Sequence, residues 1–113
     1  HGTGTTLGDP IEIEGMTQAM RSFTSKKNFC GVGSVKSSLG HMLSAAGLIS
    51  LIKVVLALNN KTIPHTINFE EPNTNIDFSN SPFYVVGKEP REWKAEGSPL
   101  RAGVNAFGSG GSN

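Results

Sequence analysis

An α/β layered architecture is what this 113-residue chain predicts, on three observations. Asp9-Pro10-Ile11-Glu12 opens a helix-like pattern, and Met42 to Leu58 forms a second, far more apolar one. Between and after them lie short β-like runs at Phe29–Val35, Phe83–Val86 and Arg101–Phe107. Helices alternating with strands pack as layers around one core. The length allows a single domain able to bury roughly two-thirds of its unfolded surface.

Each element has a local reason. Residues 1–8 hold three Gly and three Thr, too flexible and polar for an element interior. Asp9 can accept hydrogen bonds from free N–H groups, Pro10 suits the first helical position, and Glu12 completes a capping-box spacing. This helix is expected to run to about Phe23, with Ile11, Met16, Met20 and Phe23 as apolar contacts. Ser25-Lys26-Lys27-Asn28 reads as an exposed turn, and Phe29–Val35 as a short buried strand.

Lys36–His41 reads as a loop, followed by the Met42–Leu58 helix. That helix has almost no polar face, which places it in a core or in lipid. Ser44, Gly47, Ser50 and Lys53 interrupt it, and it falls short of the ~20 apolar residues of a membrane span. A buried core helix is the expectation. Asn59–Pro82 reads as an ordered loop, Phe83-Tyr84-Val85-Val86 as a strand, Arg91-Glu92-Trp93 as an edge segment and Arg101–Phe107 as a last strand.

Composition narrows function. A net charge of +1 without a Lys/Arg cluster disfavours nucleic acid or an anionic membrane as partner. The single Cys30 excludes an internal disulfide and fits a reducing, cytoplasmic compartment. With no initiator Met and a glycine loop at the far end, the chain is expected to be a segment of a longer protein.

Several motifs fail on spacing. Gly2, Gly4 and Gly8 give G-x-G-x-x-x-G, which is not the dinucleotide fingerprint, and Val35 stands where a Walker loop needs Gly. His1, His41, His65, Asp9 and Glu12 lack zinc-site spacing, so no metal is expected. Cys30 sits in an apolar pattern and reads as an inert buried thiol. His65 reads as a loop residue. By themselves His1 and His41 would read the same way.

Their neighbours change that. His1-Gly2-Thr3-Gly4-Thr5 with Gly8-Asp9-Pro10-Ile11-Glu12 resembles the first histidine motif of polyketide-type β-ketoacyl synthases. Gly33–His41, running into Ala45-Ala46-Gly47 and Leu51-Ile52-Lys53, is similar to their second. Arg101–Val104 and Phe107–Asn113 resemble their closing glycine loop. Ile63-Pro64, Asn68-Phe69 and Pro72-Asn73 follow the same family pattern, so the resemblance covers nearly the whole chain.

The resemblance implies a thiolase-like layered αβαβα fold with a mixed sheet and a buried central helix. Residues 1–113 would be part of its C-terminal half, cut at both ends. It also implies decarboxylative Claisen condensation of a carrier-protein-bound malonyl unit with a cysteine-bound acyl chain. His1 and His41 would be the two catalytic histidines, binding the malonyl thioester carbonyl and stabilising the enolate. Neutral imidazole N–H groups can do this, each donor being worth about 2.7–4 kcal/mol of barrier. Lys36 would order the hydrogen bonds around the second histidine. Thr3 and Thr5 would contact the phosphopantetheine arm of the acyl carrier protein, with no cofactor in the chain itself. Phe107, Gly108, Ser109 and Gly110 would shape and gate the acyl pocket. Asp9 and Glu12 read as structural.

Three departures from the pattern matter. The family's nucleophilic cysteine lies in a Thr-Ala-Cys-Ser-Ser type motif that this chain lacks, so its partners would include the remainder of the domain. Ser109 stands where fatty-acid-type enzymes carry a bulky phenylalanine, which leans towards polyketide assembly lines. The Ala-His that commonly follows the final Asn is absent. Family members are homodimers, and the resemblance carries that over. The alternatives are a non-catalytic piece that docks a carrier protein or completes a dimer, and a fatty-acid-type synthase.

Overall fold

The computed structural model describes residues 1–111, so Ser112 and Asn113 of the closing motif lie outside the described residues. Helix α1 spans Gly8–Arg21, strand β1 Cys30–Val32, and helix α2 a single turn, Lys36–Leu39. A 3-10 turn, Leu43–Ala45, leads into helix α3, Ala46–Asn59. Strands β2 (Thr62–Ile63), β3 (Phe83–Val85) and β4 (Arg91–Glu92) follow. The α/β class predicted from the sequence is present.

The start of α1 differs from its expectation. The helix begins at Gly8, ahead of Asp9, and its N-cap Leu7 contributes no side-chain bond. Instead Thr5 Oγ1 accepts the Gly8 N–H at 3.0 Å, and Asp9 Oδ1 reaches back to the Gly4 N–H at 3.1 Å. Glu12 leaves the capping box altogether and binds His1 and Gly2. At the far end the Arg21 guanidinium donates to the Lys26 carbonyl at 2.9 Å and turns the chain away. The helix therefore stops short of Phe23. Ile13 is its buried residue, while the predicted contacts Ile11 and Phe23 are 73% and 89% exposed.

The core lies around β1 and β3, which pair in parallel with Cys30 opposite Phe83 and Val32 opposite Val85. Strand β1 is shorter than the predicted Phe29–Val35 because Gly33 and Ser34 leave the ladder towards α2. Pro82, Phe83 and Val86 are buried there with Ser81, whose hydroxyl accepts the Phe83 N–H at 3.0 Å. Asn28 pins both ends of the preceding loop by donating to the carbonyls of Phe78 and Phe83. Gly31 lets the Tyr84 ring and Ile63 close over the strand: a Cβ there would lie 3.3 Å from the tyrosine hydroxyl. The Arg91 guanidinium stacks on the same ring, 4.7 Å from the Tyr84 centroid.

A second, antiparallel pair joins β2 to β4, with Ile63 opposite Arg91. Strand β2 thus falls inside the stretch read as a loop. The rest of that stretch is irregular and held by side-chain bonds. Ser79 and Asn80 hydrogen bonds hold the Asp77 carboxyl below its ordinary value.

Two expectations are corrected. Arg101–Phe107 forms no strand, since no ladder partner meets it among the described residues. The segment instead crosses both long helices. Asn105 Nδ2 approaches Met16 Sδ at 2.9 Å, and Ala106 lies so near α3 that a Cβ on Gly47 would sit 3.0 Å from its own Cβ. The second correction concerns burial of α3. Only Ala46 is buried, whereas Leu48, Leu51, Ile52, Val55 and Leu56 are 47–61% exposed. The described residues supply nothing to cover that face. No helix among the described residues is long and apolar enough to cross a membrane.

Replacing Phe83 by Ala should cost about 3–5 kcal/mol in denaturant unfolding of the domain that contains this chain. A loss below about 1 kcal/mol would move the core elsewhere. Cys30 sits half-buried in β1, and burial pushes its thiol up from the ordinary value. A raised pKa lowers the thiolate fraction at any given pH. Cys30 should therefore be alkylated at about pH 7.5 more slowly than cysteine in a short peptide, read by peptide mass mapping. Equal rates would make it an accessible, reactive thiol.

Candidate active site

His1 and His41 come from different loops, far apart in the chain, and meet. Their ring centroids are 5.2 Å apart in an edge-to-face arrangement with an interplanar angle of 77°. Phe107 completes the cluster, its ring centroid 5.3 Å from that of His1. Three sequence-predicted residues from the chain's start, middle and end thus share one place.

Main-chain restraints explain how His1 is held there. The Glu12 carboxylate takes the backbone nitrogens of both His1 and Gly2, the latter at 2.9 Å. On the carbonyl side Lys36 Nζ donates to His1 O at 2.6 Å. Ser34 Oγ donates to Gly2 O at 2.7 Å. Gly2 adopts φ +58°, and a Cβ there would sit 2.7 Å from Ser34 Cβ, so the turn admits no side chain.

His41 is positioned more locally. Lys36–Leu39, read from sequence as a loop, is a single helical turn beginning after Val35. It stops at Gly40, whose φ of +77° suits glycine and reverses the chain into His41. The imidazole then serves the next element: His41 Nδ1 accepts the Leu43 N–H at 3.0 Å.

The same chemistry recurs at the first histidine, where Nδ1 accepts the Phe107 N–H at 3.3 Å. The Lys36 ammonium also lies 3.4 Å from that nitrogen. A neutral imidazole carries one proton, and a nitrogen that accepts a hydrogen bond does not hold it. Both rings therefore keep their N–H at Nε2 when neutral. The cluster presents two imidazole N–H donors, each tautomer fixed by a main-chain amide.

The remaining predicted residues fall around this centre. Lys36 contacts the first histidine, His1, rather than the second, the one whose hydrogen bonds it was expected to order. Thr3 and Thr5 are exposed beside the His1 turn, with the Thr5 oxygen engaged by Gly8 N–H. Gly108, Ser109 and Gly110 are exposed beyond Phe107, and Gly110 and Gly111 take φ of +81° and +83°. Asp9 and Glu12 are structural, though by contacts with the His1 loop that their capping-box spacing did not indicate. Ser34 was missed entirely. Its one sequence signal was a small hydroxyl residue two places before Lys36.

Among the described residues no three His, Cys, Asp or Glu side chains gather as a metal site would require. An apolar groove of about 500 Å³ runs between α1 and the closing segment, lined in part by Ile11, Met16, Asn105 and Phe107.

Residues 1–70 match the family described as beta-ketoacyl synthase, C-terminal domain. Over its whole length the chain is 47% identical to polyketide synthase PksL of Bacillus subtilis, of which it covers 2%. It is 42% identical to polyketide synthase GfsE of Streptomyces halstedii, again over its whole length, and covers 3% of that protein. Among solved structures, ketosynthase twelve of the bacillaene polyketide synthase from Bacillus amyloliquefaciens superposes with a TM-score of 0.91. That match is 44% identical and spans 96% of this chain and 19% of the other. An oxazolomycin ketosynthase domain from Streptomyces albus gives a TM-score of 0.82 at 35% identity, over 98% of this chain and 19% of that one. The chain thus spans a small fraction of the polyketide synthases it matches and about a fifth of the solved ketosynthase chains. On the matched residues, the thiolase-like fold and the joined histidine motifs, this chain belongs to the β-ketoacyl synthase family, as part of its C-terminal domain.

Proposed function

We propose that this chain supplies the decarboxylation half of a polyketide-type β-ketoacyl synthase. The observation that carries the reading is the pair of adjoining imidazoles, ring centroids 5.2 Å apart, whose Nδ1 atoms each accept a main-chain N–H and so leave the proton of each neutral ring at Nε2. A malonyl thioester on an acyl carrier protein places its carbonyl oxygen against these donors. The bond to the carboxylate carbon breaks and CO2 leaves, its electron pair passing into the enolate oxygen. That oxygen gains negative charge, and donors fixed in advance stabilise it without reorganisation. The enolate carbon then attacks an acyl thioester on a cysteine from the rest of the domain, whose thiolate departs.

Lys36 strengthens the design as a fixed positive charge at His1 Nδ1, which favours the Nε2–H tautomer of the neutral ring. Thr3 and Thr5, exposed on the same approach, are assigned to the phosphopantetheine arm. Phe107 to Gly110 are assigned to the wall and gate of the acyl pocket. The partners are then the carrier protein, the remainder of the ketosynthase domain and a second copy in a homodimer, in the cytoplasm. The polyketide rather than fatty-acid subtype rests on the small Ser109 and on the polyketide synthases among its relatives.

In the intact synthase, His1→Ala or His41→Ala should lower malonyl decarboxylation about 10²–10³-fold while the upstream cysteine still acylates. Carrier-bound malonate consumption and intact-protein mass read the two steps separately. Normal decarboxylation in both variants would remove the oxyanion role. Ser109→Phe should narrow the range of acyl chains loaded, measured by competition among acyl thioesters of different length. An unchanged range would remove the gate.

A further inference from the structure

Ser34 lies within the second histidine motif but was given no role there, yet it touches three parts of the site. Its hydroxyl donates to the Gly2 carbonyl at 2.7 Å, with the His1 carbonyl at 3.4 Å, and accepts the Lys36 N–H at 3.2 Å. Its own carbonyl accepts from Ser37 Oγ at 3.0 Å and from Lys53 Nζ of α3 at 3.3 Å. The His1–Gly2 turn, the first residue of α2 and the middle of α3 are therefore tied through one small residue.

There is no slack in this tie. Gly2 packs so closely that any Cβ would overlap Ser34 Cβ. Lys53 has few alternatives: it is the one charged residue of α3 and half-buried, and burial pulls its ammonium below the ordinary lysine value. A carbonyl acceptor offsets that desolvation in part.

We infer that Ser34 is a positioning residue for decarboxylation, fixing the separation of the His1 and His41 rings by bonding the His1–Gly2 turn to the helix that leads into His41. The inference rests on the histidine pair acting as oxyanion donors. Ser34 touches no reacting atom in this role. Donor placement matters because an oxyanion donor works only within about 2.7–3.1 Å of the developing charge, and small displacements lose much of the effect. Glu12 holds the nitrogen side of the same turn, and without Ser34 the Gly2 carbonyl loses its bond to the α2 start.

The test uses the intact synthase. Ser34→Ala should lower kcat for malonyl decarboxylation about tenfold, the scale of one net hydrogen bond. KM for the malonyl carrier protein and the rate of cysteine acylation should stay within about twofold. Lys53→Met, which removes the bond to the Ser34 carbonyl, should act in the same sense by about threefold, and it carries the test if the alanine variant does not fold. Decarboxylation within about twofold of the parent in the folded variants overturns the inference. So does a parallel fall in decarboxylation and acylation, which marks a merely structural role. His1→Ala is run alongside. If it decarboxylates normally, the oxyanion reading itself fails; if it is crippled while Ser34→Ala is not, only the role of Ser34 falls.

Discussion

A neutral imidazole can meet a developing negative oxygen with a proton or with a lone pair, and only the first stabilises it. The choice is made at the opposite ring nitrogen. In this chain both Nδ1 atoms face main-chain N–H groups, from Phe107 and from Leu43, which cannot turn into acceptors. Backbone amides hold their geometry at less entropic cost than flexible side chains, so the tautomers are set by the path of the chain. Everything else around the site serves to bring those two amides to those two rings.

The path is demanding in backbone freedom. Gly2 and Gly40 both take positive φ, one after His1 and one before His41, so each histidine sits at a turn that glycine alone enters readily. Leu43 takes φ +50° shortly after the second, a conformation uncommon for a bulky residue. Its N–H is the one bonded to His41 Nδ1. The strain and the tautomer lock therefore coincide in one residue. Strain of this kind persists only where surrounding contacts over-determine the backbone.

What the sequence made legible follows from the range of the forces involved. Local signals served well: α1, α3, β1, β3 and β4 stand near the positions their patterns predict, and the two histidine motifs do converge. The failures are long-range. Glu12 had the spacing of a capping box, but the His1 loop folds back over the helix and takes its carboxylate first. The Arg101–Phe107 run has strand composition without a ladder partner among the described residues, and a strand is defined by its neighbour rather than its residues. Ser34 gave little warning because a serine in a loop has no periodicity to break. Burial of α3 is a tertiary property that its own residues cannot determine.

That helix carries a consequence of its own. A cylinder apolar on every side has no preferred rotation about its axis, because hydrophobic cohesion is proportional to area and has no direction. The apolar area of Leu48, Ile52 and Leu56 alone sets that rotation only weakly. Lys53 removes the degeneracy: its ammonium must find oxygen, and the Ser34 carbonyl is where it finds it. One cation thus acts as a key in a slot, fixing the angular phase of the rod together with the close approach of Gly47 to Ala106. It sets that phase against Ser34, the residue bonded to the His1–Gly2 turn, so a helix turned about its axis and a displaced His1 become the same error.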